Sequence, residues 1–547
     1  MAEPSQYVWP YDIETLCRCF AEFSGKNTNT PEVVRAKFHK TYFESYFSVD
    51  GLDAKTFVVE REYVDSDFLE DYAAYYVKCF QQYDRFTSRF HFFSVAFTQE
   101  AFEGLLLERK EIDGLTLGLL NEKYLGFVVI KHLPGTIIGR TCLKTYNDVN
   151  DDVNCPRHYP VKRPYTVHLF GIDLTVNTLA FQEQDRAAAA CATSALWSAF
   201  QGTGPLFHHK SPCPIEITKA ASKHIPSATR TLPNHGLSVT QMVDATRKVG
   251  LEPSLIQLGK AQAAKTALIK ATVYAYLKLG VPILMGVSLS NGGLHAVAVT
   301  GFSLGGKPTP EKNDQRGLVL KSSRMDKIYA HDDQIGPFAR MIIDPEQHKL
   351  QTSWPDDQGN VGNIYADPIF LLLPLYHKVR VTLEQIRLAV GFFSSLLSRF
   401  FDAMPAQIRE RFRLPVMARF EWDVHLTKVD MLKKDVRDAS CIGLDYKKEV
   451  AIQSMPKYMW RVGALVGDER VFDLLFDATD VETGRTFLRA IEYNIDYAWL
   501  LRVVCAELTQ RLPRLPAPKS AWHVLEWFSD AYLGNKGNMR ESGDGYP

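Results

Sequence analysis

Residues 182–200, QEQDRAAAACATSALWSAF, constrain the chain more than any other stretch. Polar Gln182, Glu183, Gln184, Asp185 and Arg186 precede a run of alanines that ends in Cys191. After it, Ala192, Ala195, Leu196 and Ala199 recur at helical spacing. The pattern predicts a buried helix with a thiol near its start. A helix N-terminus carries a partial positive charge that favours a thiolate placed there, and small neighbours let a substrate backbone come close. The same residues also suit an inert core cysteine, because free cysteine is among the most buried residue types. What separates the two readings lies elsewhere in the chain.

With 547 residues, the chain is long enough for two to four domains, each with a sizeable core. Its 63 basic and 63 acidic residues cancel, so no strong field steers it to nucleic acid or acidic lipid. Nine cysteines at irregular spacing argue against a disulfide framework and for a reducing compartment. The N-terminus lacks a basic region followed by an apolar run, which reads as no signal peptide. The longest apolar run, Pro368 to Tyr376, is too short to span a bilayer and contains Pro374. The expectation is a soluble, cytoplasmic protein with no membrane and no nucleic-acid partner.

The aromatic residues Tyr72, Tyr75, Tyr76, Phe80 and Tyr83 fall at helical spacing and read as core packing. YLGFVVIK (124–131) reads as a strand followed by a turn at Pro134 and Gly135. Polar residues 147–163 mark a linker, and VHLFGIDLTV returns to strand patterning. His208, His209 and Cys213 match no zinc spacing, so no metal and no cofactor is expected. The clearest helix spans 235–250, with Ser238 as N-cap, Gln241 closing a capping box and Gly250 as the stop. A further helix over 260–279 leads to the strand PILMGVSL, a turn at 291–293, the strand HAVAVTGF opening on His295, a polar loop at 303–316 and a strand end at IYAHDD. Beyond 351, helical periodicity covers 382–404 and 481–511, RVGALV and VFDLLFDATDV read as strands, and the Gly-rich tail from Leu533 reads as disordered. The fold class is α/β (α+β), with an N-terminal region over 1–160, a central domain over 161–350, a C-terminal region over 351–532 and the tail at 533–547.

Cys191, His295 and Asp332 or Asp333 follow one another in the order nucleophile, base, orienter. A thiolate needs a base to hold it as an ion pair and to protonate the leaving group, and the base needs a third group to fix its ring. Gln184 and Gln182 can offer a side-chain N–H to an oxyanion beside the backbone N–H of Cys191. Strand alternation lets one of Asp332 and Asp333 point at His295, and the sequence leaves open which. Asp344, before Pro345, is a more distant candidate. Outside this set, His331 reads as a surface residue and Trp197 as core.

The segments QEQDRAAAACATSAL, GLSVTQMVDATRKVGLEP, GVPILMGVSLSNGGLHAVAVTGF and YAHDDQIGP, in this order, resemble papain-like cysteine peptidases. They look closest to the bacterial branch that includes the double-glycine leader peptidase domains of bacteriocin exporters. The resemblance covers residues 166–345. It implies a central papain-like domain with Cys191 as nucleophile, His295 as base, Asp332 as orienter and Gln184 as oxyanion donor. The family's glutamine stands six residues before its cysteine; here that position is Asp185, and Gln184 stands one residue earlier. The activity implied is hydrolysis of a peptide or isopeptide bond in a protein or peptide substrate, with the flanking regions meeting a regulatory protein partner. The same thiol also serves acyltransferases, transglutaminases and deamidases. A third reading is an inactive papain-like fold that acts as a protein-binding regulatory scaffold.

Overall fold

A computed structural model describes residues 6–25, 29–108, 111–146, 157–185, 187, 190–223, 232, 236–305, 318–356, 358–411, 420–480, 486–511 and 518–542. Much of the expected linker at 147–163 and of the expected loop at 303–316 lies outside them, as do the last five residues. Helices and strands are intermixed along the chain, as an α+β fold requires. The chain divides into two compact units. The first joins Met1–Lys260, Gly280–Leu304 and Asp326–Tyr376; the second joins Ala261–Leu279, Gly305–Met325 and His377–Pro547. The boundaries expected at 160 and 350 both fall inside the first unit. Composition marks the loops there, but non-local strand pairing decides which segments pack together.

The first unit holds two large sheets. One is a five-stranded antiparallel meander: Val8–Pro10, Thr56–Tyr63, Thr87–Phe93, Tyr124–Lys131 and Ile138–Leu143. Its third and fourth strands are buried at every position, which explains why YLGFVVIK is a continuous apolar run rather than an alternating one. In the other sheet, Ile283–Leu289, Leu294–Leu304, Met325–Asp332, Gly336–Ile343, Leu350–Gln351 and Tyr365–Leu375 pair in that order. Tyr365–Leu375 then pairs back onto Ile283–Leu289, so the sheet closes on itself. The apolar run PIFLLLPLY is thus a strand of this barrel. No helix among the described residues is long and apolar enough to cross a membrane. Between the two sheets in sequence, Arg163–Leu169 and Ile172–Thr178 form a hairpin with strict alternation of buried and exposed positions. Phe170 and Gly171, both at positive φ, make its two-residue turn.

The helix expected to hold a thiol near its start begins at Cys191 and runs to Phe207, where His208 takes the left-handed conformation and ends it. Thirteen of its 17 residues are buried, so it is a core helix, with the small or polar Thr193, Ser194, Ser198, Gln201 and Thr203 among them. Trp197 is fully buried and donates its indole N–H to Asp67 at 2.9 Å. The helix Val239–Lys248 has the expected capping box, with Ser238 and Gln241 exchanging hydrogen bonds of 2.8 and 3.3 Å. Of the aromatic stripe, Tyr72, Tyr75, Tyr76 and Tyr83 pack around Phe68, Leu133 and Ala187, while Phe80 is fully exposed.

In the second unit, Val319–Leu320, Glu421–Lys428, Tyr458–Val466, Glu469–Asp477 and Phe487–Glu492 form one sheet. Helices Gln262–Leu277, Leu383–Asp402, Val429–Asp438, Leu444–Ile452, Ile495–Arg511 and Lys519–Ser542 belong to the same unit. Two expectations fail here. The helical pattern over 481–511 contains the strand Phe487–Glu492, whose pairing with Glu469–Asp477 overrides local periodicity. The tail expected to be disordered from Leu533 continues as helix to Ser542, because extending an existing helix costs less than starting one.

Candidate active site

The segment before Cys191 is pinned to the edge of the N-terminal sheet. Phe181 and Thr141 exchange backbone hydrogen bonds of 2.7 and 2.9 Å, and the N–H of Glu183 donates to Ile138 at 3.1 Å. The Glu183 carboxylate accepts the Ile138 N–H at 2.9 Å and is paired with Lys37, whose ammonium also donates to the Gly135 carbonyl. Asp185 turns back on its own loop and accepts the Ala187 N–H at 2.8 Å. The chain then enters the helix at Cys191 with Ala190 as N-cap, a residue whose side chain cannot cap the first turn. The leading N–H groups of a helix have no partner within it, and here they lie at the cysteine end.

His295 lies on the barrel strand Leu294–Leu304, and Asp332 ends the strand Met325–Asp332. His295 Nε2 donates to Asp332 Oδ1 at 3.0 Å. The other oxygen of Asp332 accepts the Trp354 indole N–H at 2.7 Å, and Oδ1 also accepts the Gln334 N–H at 3.2 Å. The Trp354 ring stands edge-on to the imidazole, with centroids 5.1 Å apart. Cys191 lies close enough to His295 to help raise its pKa. With Nε2 held by Asp332, Nδ1 is the ring nitrogen left for the sulfur. Cys191 is half-buried, the least enclosed residue of an otherwise buried set.

Alternation was expected to turn one of the two aspartates away. Instead, both face the ring. The ladder shifts register between Ala330 and Asp332, and Asp333 already lies in the turn. Asp333 Oδ1 comes within 3.5 Å of His295 Nε2, but neither of its carboxylate oxygens makes a hydrogen bond. Its backbone carbonyl accepts His39 Nε2 at 3.0 Å. Gly336, at φ +157°, closes the turn where a Cβ would strike the Tyr42 ring, and the Tyr42 hydroxyl donates to the Pro337 carbonyl. The N-terminal residues Lys37, His39 and Tyr42 thus brace both the cysteine loop and the aspartate turn.

Burial pulls the pKa of His295 down, but the Asp332 carboxylate, the hydrogen bond to it, Cys191 and Asp333 carry it well above the ordinary histidine value. Burial raises Asp332, but the facing imidazole and its three hydrogen bonds prevail and hold it below the usual carboxylate range. Burial pushes Asp333 up to about 7 against the pull of His295, with Asp332 adding to the rise. His331, expected at the surface, is buried between Phe181 and Phe338, and burial takes it down to about 3.

Cys191, His295, Asp332 and Asp333 therefore come together. Of the two glutamines, Gln182 is buried with an amide nitrogen that has no hydrogen-bond partner, and Gln184 is half-buried. Asp344 lies elsewhere, accepting N–H groups from Glu346 and Gln347 in its own turn. His209 uses both ring nitrogens in hydrogen bonds, to Thr203 and to the Lys210 carbonyl, and Cys213 caps the helix Pro214–Ala221. Among the described residues, His295, Asp332 and Asp333 are the one group of three whose donor atoms lie close enough to share a metal ion. Sequence reasoning missed Trp354, Lys37 and His39. No periodicity or motif marks them, because each acts across a large sequence separation. No protein family, curated protein or solved structure matches the chain.

Proposed function

We propose that the protein is a cytoplasmic thiol hydrolase of papain-like type that cleaves a peptide or isopeptide bond. The observation that carries this reading is the His295–Asp332 hydrogen bond with Cys191 near enough to bear on the imidazole, the cysteine being the first residue of a buried helix. The closed sheet that carries the histidine and aspartate supports it, as does the partial exposure of Cys191. The absence of disulfides among the described cysteines fits a reducing compartment.

In the proposed reaction the Cys191 sulfur attacks the substrate carbonyl carbon. Backbone N–H groups of the first helical turn and the Gln182 amide stabilise the oxyanion. The C–N bond then breaks, and the imidazolium of His295 gives its proton to the departing amine. Water, deprotonated by His295, attacks the thioester and releases the acid and the free thiol. Asp332, fixed by Trp354, holds the ring so that Nδ1 meets the sulfur throughout. Gln182 replaces Gln184 as oxyanion donor in this account, because a buried amide left without a partner is the mark of a donor kept for a ligand.

Treatment with a peptidyl acyl-electrophile probe, followed by peptide mass spectrometry, tests the reading. The expected result is a stoichiometric adduct on Cys191, absent in His295→Ala; no adduct on Cys191 would refute it. Product masses then separate hydrolysis from the other chemistries of the same thiol: cleavage, transfer to an amine, or a gain of about one dalton on a glutamine. The substrate class proposed is protein or peptide, and a regulatory protein partner is proposed for the flanking segments.

A further inference from the structure

We propose that His295, Asp332 and Asp333 form a binding site for one divalent cation of the Zn2+ class, and that the cation switches the thiol site off. Three observations lead there.

The first is spacing. His295 Nε2 lies 3.0 Å from Asp332 Oδ1 and 3.5 Å from Asp333 Oδ1, and the donor atoms of all three residues lie within 4.8 Å of one another. A tetrahedral Zn2+ with arms near 2.0–2.1 Å sets neighbouring donors about 3.3 Å apart. The two measured separations bracket that edge.

The second is charge. Two buried carboxylates face one imidazole, which can offset only one of them. Asp333 is the one left over: its side chain is 3% exposed and neither oxygen has a hydrogen-bond partner. A buried carboxylate without a partner is costly. A divalent cation balances both carboxylates at once, with the neutral imidazole supplying a lone pair.

The third is the outer support. Asp332 Oδ2 is fixed by the Trp354 indole at 2.7 Å, and the Asp333 backbone is fixed by His39 at 3.0 Å. Neither oxygen of Asp333 has a hydrogen-bond partner, and Oδ1 faces the ring at 3.5 Å. Outer groups that orient ligands in this way are a regular part of metal sites. One imidazole and two carboxylates suit Zn2+ among the borderline divalent ions, and no sulfur is needed in the set.

The cation takes the Nε2 lone pair, and the proton that Nε2 carried goes to solvent. An imidazole tied at Nε2 and charged by the metal can no longer act as base toward Cys191. The inhibitory half of the proposal rests on the thiol-hydrolase reading; the binding half does not.

The test uses the full-length protein, stripped with a chelator and dialysed against Zn2+, with bound metal measured directly. One Zn2+ per chain is expected in the wild type and in Cys191→Ala, with affinity at least about tenfold weaker in Asp333→Asn. Co2+ in the wild type should give visible d–d absorption without a thiolate-to-metal charge-transfer band. This reading decides the ligand set even if the Asp333 variant fails to fold. No stoichiometric binding, unchanged affinity in a folded Asp333→Asn, loss of binding in Cys191→Ala, or a charge-transfer band each overturns the site. Zn2+ should also slow alkylation of Cys191 in the wild type and not in Asp333→Asn. If Cys191 proves unreactive without metal, the hydrolase reading falls, while the stoichiometry and the spectrum still judge the metal site.

Discussion

Gln182 carries one charge-stabilising role in the proposed reaction that Gln184 does not. Gln182→Ala is expected to lower kcat by about a hundredfold, the usual cost of losing an oxyanion donor, with KM little changed. Gln184→Ala should change kcat far less, and steady-state kinetics on any substrate found by product mass will show which glutamine matters. Trp354 acts one step further back. Its N–H is the sole described hydrogen bond to Asp332 Oδ2, and the Oδ1 side is left to His295 and Gln334. Trp354→Phe keeps the ring beside His295 and removes the donor. It should destabilise the fold by about 2 kcal/mol, the scale of a hydrogen bond to a charged acceptor, as read by urea unfolding. Much of the residue-level picture was legible in the sequence: small residues around Cys191 and apolar spacing after it placed the helix start, and the order of cysteine, histidine and aspartate placed the triad candidates. The choice between Asp332 and Asp333 was not legible. Alternation assumes a regular strand, and the strand loses its register just there.

At the level of elements, the cysteine helix depends on a loop that the N-terminal sheet holds by its edge. The Lys37–Glu183 pair is the side-chain part of that hold, with side chains 14% and 7% exposed. Lys37→Met leaves Glu183 buried with the Ile138 N–H as its remaining described partner. A loss of about 3 kcal/mol is expected, the usual consequence of breaking a buried pair from one side, measured by urea unfolding. A loss below about 0.5 kcal/mol would show that the backbone bonds of Phe181 and Glu183 hold the loop alone. Elements with local causes were the ones the sequence revealed. The capping box at Ser238 and Gln241, the strand patterning of VHLFGIDLTV and the strand at 124–131 all follow from neighbours within a few residues, whereas the hairpin turn at Phe170 and Gly171 was not read from them. The strand Phe487–Glu492 was hidden inside a helical pattern because its partner supplies the reason for its conformation. The burial of His331 between Phe181 and Phe338 was hidden for the same reason.

At the scale of the whole molecule, the chain crosses between its two units more than once. The helix Gln262–Leu277 belongs to the second unit although the barrel strands follow it directly. Its Tyr274 hydroxyl donates to Asp423 at 2.9 Å and its Tyr276 ring meets Trp460 with centroids 5.4 Å apart. Composition cannot show this, since nothing in residues 261–279 says that their partners lie beyond 377. A chain ending at Tyr376 would strand that helix with its apolar side chains uncovered. It is expected to aggregate or to lose its cooperative thermal transition, whereas a first unit that folds alone would give a sharp one by calorimetry. The central claim is that the sulfur of Cys191 is activated by His295. Its most direct test is the alkylation of Cys191 by iodoacetamide at pH 7, timed by peptide mass spectrometry against the exposed Cys441 in the same molecule. The account predicts that Cys191 reacts at least about tenfold faster than Cys441 and that His295→Ala abolishes the advantage; a wild-type Cys191 that reacts no faster than Cys441 would contradict it.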